Sequence, residues 1–160
     1  MLALDDRDLK ILSILQTDGR VTKTELARRV NLSATPCWER LKRLEDNGII
    51  EGYGARISLS AFGPLSVIFM EAELASHRAE DFKQFEDAIL TYDDVVECWA
   101  VGGGIDYLLK FACADVDAYQ RRVDGMLEAD IGLRRYFTYV VTKPVKTSPL
   151  PPVPARLPAD

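Results

Sequence analysis

The 160 residues hold one histidine and three cysteines, and that scarcity removes several kinds of chemistry at once. His77 with Cys37, Cys98 and Cys113 is a poor ligand supply for a metal. The cysteines are widely spaced and never form a C-x-x-C pair, which argues against both zinc and a disulfide framework. No apolar run reaches the ~18 residues a bilayer span needs, so a membrane-spanning helix is excluded and no membrane partner is expected. The opening Met1-Leu2-Ala3-Leu4-Asp5-Asp6 lacks a basic region followed by an apolar stretch and a small-residue cleavage site. It does not read as a secretory signal, and cytoplasm is the expected compartment. Also missing are a nucleophile–base pair, paired carboxylates in a suitable context, and a phosphate loop. Gly102-Gly103-Gly104 has no later glycine to complete G-x-G-x-x-G. The expectation is a protein that is not an enzyme and needs no cofactor.

What is present is soluble globular composition, with 48% apolar and 28% charged residues and a net charge of −5. The charge is unevenly distributed. Residues 1–57 carry 10 Lys/Arg against 9 Asp/Glu, whereas 58–160 carry 10 against 16. Between Arg20 and Arg43 there are seven bases (Arg20, Lys23, Arg28, Arg29, Arg40, Lys42, Arg43) against Glu25 and Glu39. A local excess of that kind is what a phosphate backbone would meet, and it equally suits a solvated helix face.

In the first third, Leu9, Ile11, Leu12 and Leu15 form an apolar stripe that predicts a helix over 6–17, started by Asp5 or Asp6 and stopped at Asp18-Gly19. Thr22-Lys23-Thr24-Glu25 has capping-box form, with Val21 and Leu26 as a flanking staple. A short helix is expected from there to Val30, with Leu26, Ala27 and Val30 inward and Arg28 and Arg29 outward. Ser33 can cap a third helix that carries Pro36 in its first turn, where a missing amide costs little. Cys37, Leu41 and Leu44 share one face; Thr35, Glu39, Lys42, Arg43 and Asp46 lie opposite, with Trp38 and Arg40 on the flanks. Asn47-Gly48 ends it. Two short helices joined by a tight turn, the second polar outside, make a helix-turn-helix. The span 49–57, broken by Gly52 and Gly54, is expected to form a small β wing.

The second helix of such a motif lies in the major groove, with its N-terminal residues at base edges. Thr35, Trp38 and Glu39 occupy that position, with Pro36 beside them and Ser33 at the helix start also a DNA-binding candidate, and double-stranded DNA is the expected partner. Thr35 can meet a base or a thymine methyl, and Glu39 can accept from a cytosine amino group. Lys23, Arg28, Arg29, Arg40, Lys42 and Arg43 suit phosphates, which position without specifying. Alternatives stay open: Trp38 can pack on the wing or first helix, and Glu39 can pair with Arg43.

After a connector at 58–64, alternation predicts strands over 65–74, 95–101, 105–114 and 133–142, with helices over 79–92 and 115–128. The order β-α-β-β-α-β is ferredoxin-like, with both helices on one sheet face. The bare face, Phe69 included, needs a partner, and a second copy is the economical one. The chain thus reads as α+β: a winged helix-turn-helix at 1–57, the linker, a ferredoxin-like domain at 65–147, and a tail at 148–160 that its prolines keep from regular structure.

Several segments together resemble the Lrp/AsnC (feast/famine) family of transcriptional regulators over about residues 4–147. They include Asp6-Arg7-Asp8-Leu9-Lys10-Ile11-Leu12, Leu26-Ala27-Arg28-Arg29-Val30-Asn31-Leu32-Ser33, Thr35-Pro36-Cys37-Trp38-Glu39-Arg40-Leu41, Gly102-Gly103-Gly104-Ile105-Asp106-Tyr107 and Thr138-Tyr139-Val140-Val141. The resemblance implies a homodimer, often built up to tetramers or octamers. It also implies that an amino acid or related metabolite binds between the C-terminal domains and alters assembly or DNA affinity. By position, the effector site would use Gly102, Gly103, Gly104, Asp106 and Tyr107, with Thr138 and Tyr139 from the last strand. Physically, a triple-glycine turn offers bare amides to a carboxylate, and Asp106 can accept from an amino group. The plainer alternatives are a hairpin turn and an Asp106–Lys110 pair. A second expectation from the same residues is a nucleoid-type architectural protein that binds DNA without an effector.

Overall fold

The computed structural model describes residues 3–58, 61, 63–147 and 152–154. The connector expected at 58–64 and the tail expected at 148–160 lie partly outside the described residues. The chain divides into two compact units: Met1–Ile57, joined by the described part of Thr147–Asp160, and Ser58–Lys146.

The first unit holds α1 (Asp6–Thr17), α2 (Lys23–Arg29) and α3 (Ala34–Asp46). Ile11, Leu26, Ala27, Val30, Cys37, Leu41 and Leu44 close one core between them. Each buried leucine or isoleucine there contributes about 1.5–3 kcal/mol of transfer energy, which holds helices too short to persist alone. The full capping box forms at α1, not at α2. Asp5 accepts from the amide of Asp8 at 3.0 Å while Asp8 accepts from the amide of Asp5 at 3.1 Å. At α2, Thr22 accepts from Glu25 N–H at 3.2 Å, but the Glu25 carboxylate turns instead to Arg28 and Arg29. Ser33 stands at the N-cap of α3 without a side-chain capping bond. Past Asn47, Gly48 adopts φ +67°, the left-handed end glycine favours. Asn31, at φ 54°, turns the chain between α2 and α3.

The β wing expected over 49–57 does not form: residues 51–58 have no regular structure. The first unit has no other strand among the described residues for a ladder to pair with, and Gly52 and Gly54 add chain entropy where pairing would need order.

The second unit runs β1 (Ser66–Leu74), α4 (Ala79–Ile89), β2 (Val95–Ala100), β3 (Tyr107–Cys113), α5 (Val116–Glu128) and β4 (Leu133–Val140). The sheet order is β2-β3-β1-β4, with antiparallel neighbours throughout. This is the expected ferredoxin-like α+β arrangement. Ile68, Met70, Ala72, Leu109 and Phe111 point to the face covered by Phe85 and Ile89 of α4 and Tyr119, Val123 and Met126 of α5. Asp115 caps α5, accepting from Ala118 N–H at 2.6 Å. Cross-strand pairs Phe69↔Tyr139, Glu71↔Phe137, Phe69↔Lys110 and Trp99↔Leu108 line the other face. No helix packs on that face among the described residues, and Trp99, Phe137 and Tyr139 are exposed. No helix among the described residues is long and apolar enough to cross a membrane.

Candidate DNA-reading helix and effector loop

Helix α3 presents Thr35, Pro36, Trp38, Glu39 and Lys42 to the outside, because Cys37, Leu41 and Leu44 take its inward stripe. Ser33 is exposed just before the helix. The positive groups around it are arranged unequally. Lys23 of α2 sits over the Trp38 ring, 3.2 Å from its centroid, so that ring meets a cation from α2. Arg28 and Arg29 are both bound to Glu25, and Arg29 also approaches Asp18 at 3.4 Å. Those guanidiniums pull the Glu25 carboxyl down to about 2.

Arg40 and Arg43 turn toward α1, where both reach the fully buried Asp8, at 2.9 and 2.6 Å. Arg40 also meets Asp5 at 2.7 Å. Asp5 is held below the ordinary carboxylate range, first by the Asp8 amide it accepts from and then by Arg40. One buried carboxylate thus gathers two arginines of α3 and fixes that helix against α1. The Glu39–Arg43 pair expected from spacing is absent among the described residues, since Arg43 is engaged elsewhere. Sequence reading missed Asp5 and Asp8 as organisers; the i, i+3 pair of arginines on α3 was the signal available.

In the second unit, the β2–β3 loop carries the three glycines. Val101 N–H donates to the Asp106 carbonyl at 2.9 Å and closes the loop. Gly103, at φ +144°, sits where only glycine is comfortable. The amides of Gly102, Gly103 and Gly104 make no hydrogen bond among the described residues. Asp106 leaves Lys110 alone: Lys110 binds Glu97 at 2.7 Å. Asp106 instead accepts from Leu74 N–H at 2.8 Å and faces His77 Nε2 at 3.1 Å. His77, on the exposed turn after β1, is therefore the side chain next to the loop's carboxylate.

The remaining effector candidates do not converge. Tyr107 is buried on the helix-covered face, its hydroxyl donating to Glu86 of α4 at 2.8 Å. Burial, then that carboxylate, pushes its phenol well above the usual range. A cleft of about 250 Å³ beside it is lined by Glu86, Ile89, Leu90, Cys98, Ala100 and Tyr107. Thr138 lies on the same face, 2.7 Å from the Tyr119 hydroxyl. Tyr139 is on the opposite face, donating to Glu71 at 3.1 Å. Strand alternation separates these two neighbours. No group of three or more His, Cys, Asp or Glu that could hold a metal occurs among the described residues.

Two family models match this arrangement: a winged helix-turn-helix DNA-binding domain over residues 4–51 and an Lrp/AsnC ligand-binding domain over 67–151. The chain belongs to the Lrp/AsnC family. It is 51% identical over 145 residues to the transcriptional regulatory protein DoeX of Halomonas elongata, covering 91% of this chain and 92% of that one. It is 39% identical to the leucine-responsive regulatory protein of Escherichia coli, covering 91% and 88%. Among solved structures, an AsnC-family regulator from Agrobacterium tumefaciens superposes with TM-score 0.87 at 32% identity, covering 93% and 97%. The Neisseria meningitidis regulator NMB0573 in complex with L-Met does so with TM-score 0.86 at 33%, also covering 93% and 97%. As an Lrp/AsnC regulator, the chain couples a DNA-binding unit to a ligand-binding unit.

Proposed function

We propose that this regulator reads operator DNA through α3 as a homodimer and changes its DNA affinity when an amino acid or related zwitterionic metabolite binds at the β2–β3 loop. The observation that carries the reading is the outer surface of α3. Thr35, Trp38, Glu39 and Lys42 are exposed on a helix whose opposite face is locked into a core. In this division, residues 1–57 bind DNA, 58–64 connect, and 65–147 bind ligand and assemble. The working place is the cytoplasm, on nucleoid DNA.

Thr35 and Glu39 read base edges, with Pro36 and Ser33 setting the helix start and Trp38 beside them. Lys42 meets phosphate directly, and Lys23, Arg28 and Arg29 do so at the flank. Arg40 and Arg43 act chiefly through Asp8, holding α3 at its angle. For the effector, the free amides of Gly102, Gly103 and Gly104 suit a carboxylate, and Asp106 suits an ammonium group that displaces His77. The names of two relatives support an amino acid: one is leucine-responsive and one is a complex with L-Met. Tyr107, Thr138 and Tyr139 contribute where a second copy brings separate faces together. The exposed apolar face with Trp99, Phe137 and Tyr139 supports that second copy, and larger assemblies follow from pairing dimers.

Selection from a random duplex library tests the reading. Thr35→Ala and Glu39→Ala should broaden the selected sequence, each lost base contact relaxing discrimination by about 1–3 kcal/mol. Lys42→Ala should weaken every sequence alike and reduce the salt slope by about one. Identical selected sequences and slopes for all three would remove α3 from the interface. A specificity ratio near unity at physiological salt would favour the architectural alternative.

A further inference from the structure

The proline-rich end of the chain has no part in the function above, yet its described residues lie on the DNA-binding unit. A groove of about 380 Å³ runs between the end of α1 and segment 49–53, walled by Leu12, Leu15, Ile49, Ile50 and Tyr53. Val153 lines the same groove and is half-buried, while Pro152 and Pro154 on either side are exposed. The Val153 N–H donates to Gln16 Oε1 of α1 at 2.9 Å.

The local chemistry suits this placement. In Pro151-Pro152-Val153-Pro154 the prolines have no N–H, so Val153 carries the run's single amide donor, and that donor is satisfied. Proline also fixes φ near −65°, so such a segment gives up less entropy when it docks than an ordinary tail would. An aliphatic side chain between two prolines, seated on apolar walls with one backbone hydrogen bond, is a recurring way for grooves to hold extended peptides.

We infer that the groove between α1 and segment 49–53 is a peptide-docking site whose ligand is this chain's own Pro-Val-Pro segment. The segment falls in the same compact unit as the groove it occupies. The groove wall is itself fastened to α3, because the Tyr53 hydroxyl donates to Glu45 Oε1 at 2.7 Å. Burial and that carboxylate push the Tyr53 phenol up to about 12, so it stays a donor throughout the physiological range. The inference rests on the three-helix unit alone and stands or falls separately from the DNA and effector assignments.

Amide exchange and methyl chemical shifts on the full-length protein test it without DNA. The Val153 amide should exchange at least about tenfold more slowly than an unstructured chain of the same sequence. Val153→Asp in the full chain should shift the Leu12, Leu15, Ile49 and Ile50 methyl signals, whereas Val153→Ile should leave them in place. A synthetic peptide of residues 149–156 added to the Val153→Asp protein should restore the original shifts saturably. Exchange of Val153 at the unstructured rate would overturn the inference, as would methyl signals indifferent to Val153→Asp. Docking that appears in the Val153→Asp protein only when a second, tail-bearing copy is mixed in would overturn the intrachain clasp and make the segment an arm exchanged between copies.

Discussion

Asp8 shows how one side chain can settle a functional surface from a distance. It reads in sequence as one of several acids at a helix start. Its partners lie 32 and 35 residues away, a separation at which no periodicity reports contact. Arg40 and Arg43 fit a phosphate-binding pattern for the same reason: charge is legible in sequence, and its neutralisation is not. Removing the buried partner leaves two guanidiniums at a packed helix interface. Asp8→Ala should cost about 2–3 kcal/mol in denaturant unfolding, toward the low end for buried pairs because both arginines keep some solvent. Asp6→Ala, at an exposed carboxylate, should stay within about 0.5 kcal/mol. Equal effects would deny Asp8 its organising role. The Glu25 triad gives a pH signature with a definite sign. Its folded value of about 2 lies below the ordinary ~4.3, so its stabilising contribution is complete above that ordinary value and disappears as pH falls toward the folded one. Glu25→Gln should flatten the acid limb of the stability profile between those values, by a margin that salt reduces because the triad is exposed.

At the scale of elements, hydrophobic spacing was enough to place the five helices and four strands of the described residues, because each buries one face in a local core. The wing failed for the opposite reason. A strand needs a partner, and sequence alternation over 49–57 does not say whether one exists. The effector candidates do not meet within one copy, in part because Thr138 and Tyr139 are adjacent in sequence and so point to opposite sides of β4. The helix-turn-helix surface was legible because amphipathic spacing fixes which residues face out. Helix stops offer a clean test of local against tertiary causes. Gly48 ends α3 at φ +67° with nothing within 4 Å of where a Cβ would stand, so Gly48→Ala pays only the backbone penalty. That penalty should be about 1 kcal/mol in thermal or denaturant unfolding. Gly54, equally open and without positive φ, should accept alanine within about 0.5 kcal/mol. A neutral Gly48→Ala would mean the helix end relaxes out of the left-handed region.

For the whole molecule, the decisive unknown in sequence is what covers the second sheet face. Pairing register places Phe69, Glu71 and Glu73 of β1 in a row opposite Tyr139, Phe137 and Arg135 of β4, with Lys110 and Leu108 of β3 on the far side. Aromatic rings interleaved with opposite charges make a surface that a rotated second copy can complement, since an isologous contact brings each residue against a different one. Phe137 is the most informative site because it is exposed, apolar and directly across from Glu71. Phe137→Asp removes apolar contact and sets a carboxylate beside Glu71, yet leaves the helix-covered core untouched. Sedimentation velocity at micromolar concentration should show the variant as a monomer with an unchanged far-ultraviolet spectrum. Its operator affinity should fall by at least about a hundredfold, because the second recognition helix then has to bind as an independent molecule rather than at the high effective concentration a dimer supplies. A Phe137→Asp protein that stays dimeric would move the interface away from this face. One that turns monomeric yet binds its operator at full strength would show that a single α3 is sufficient for recognition.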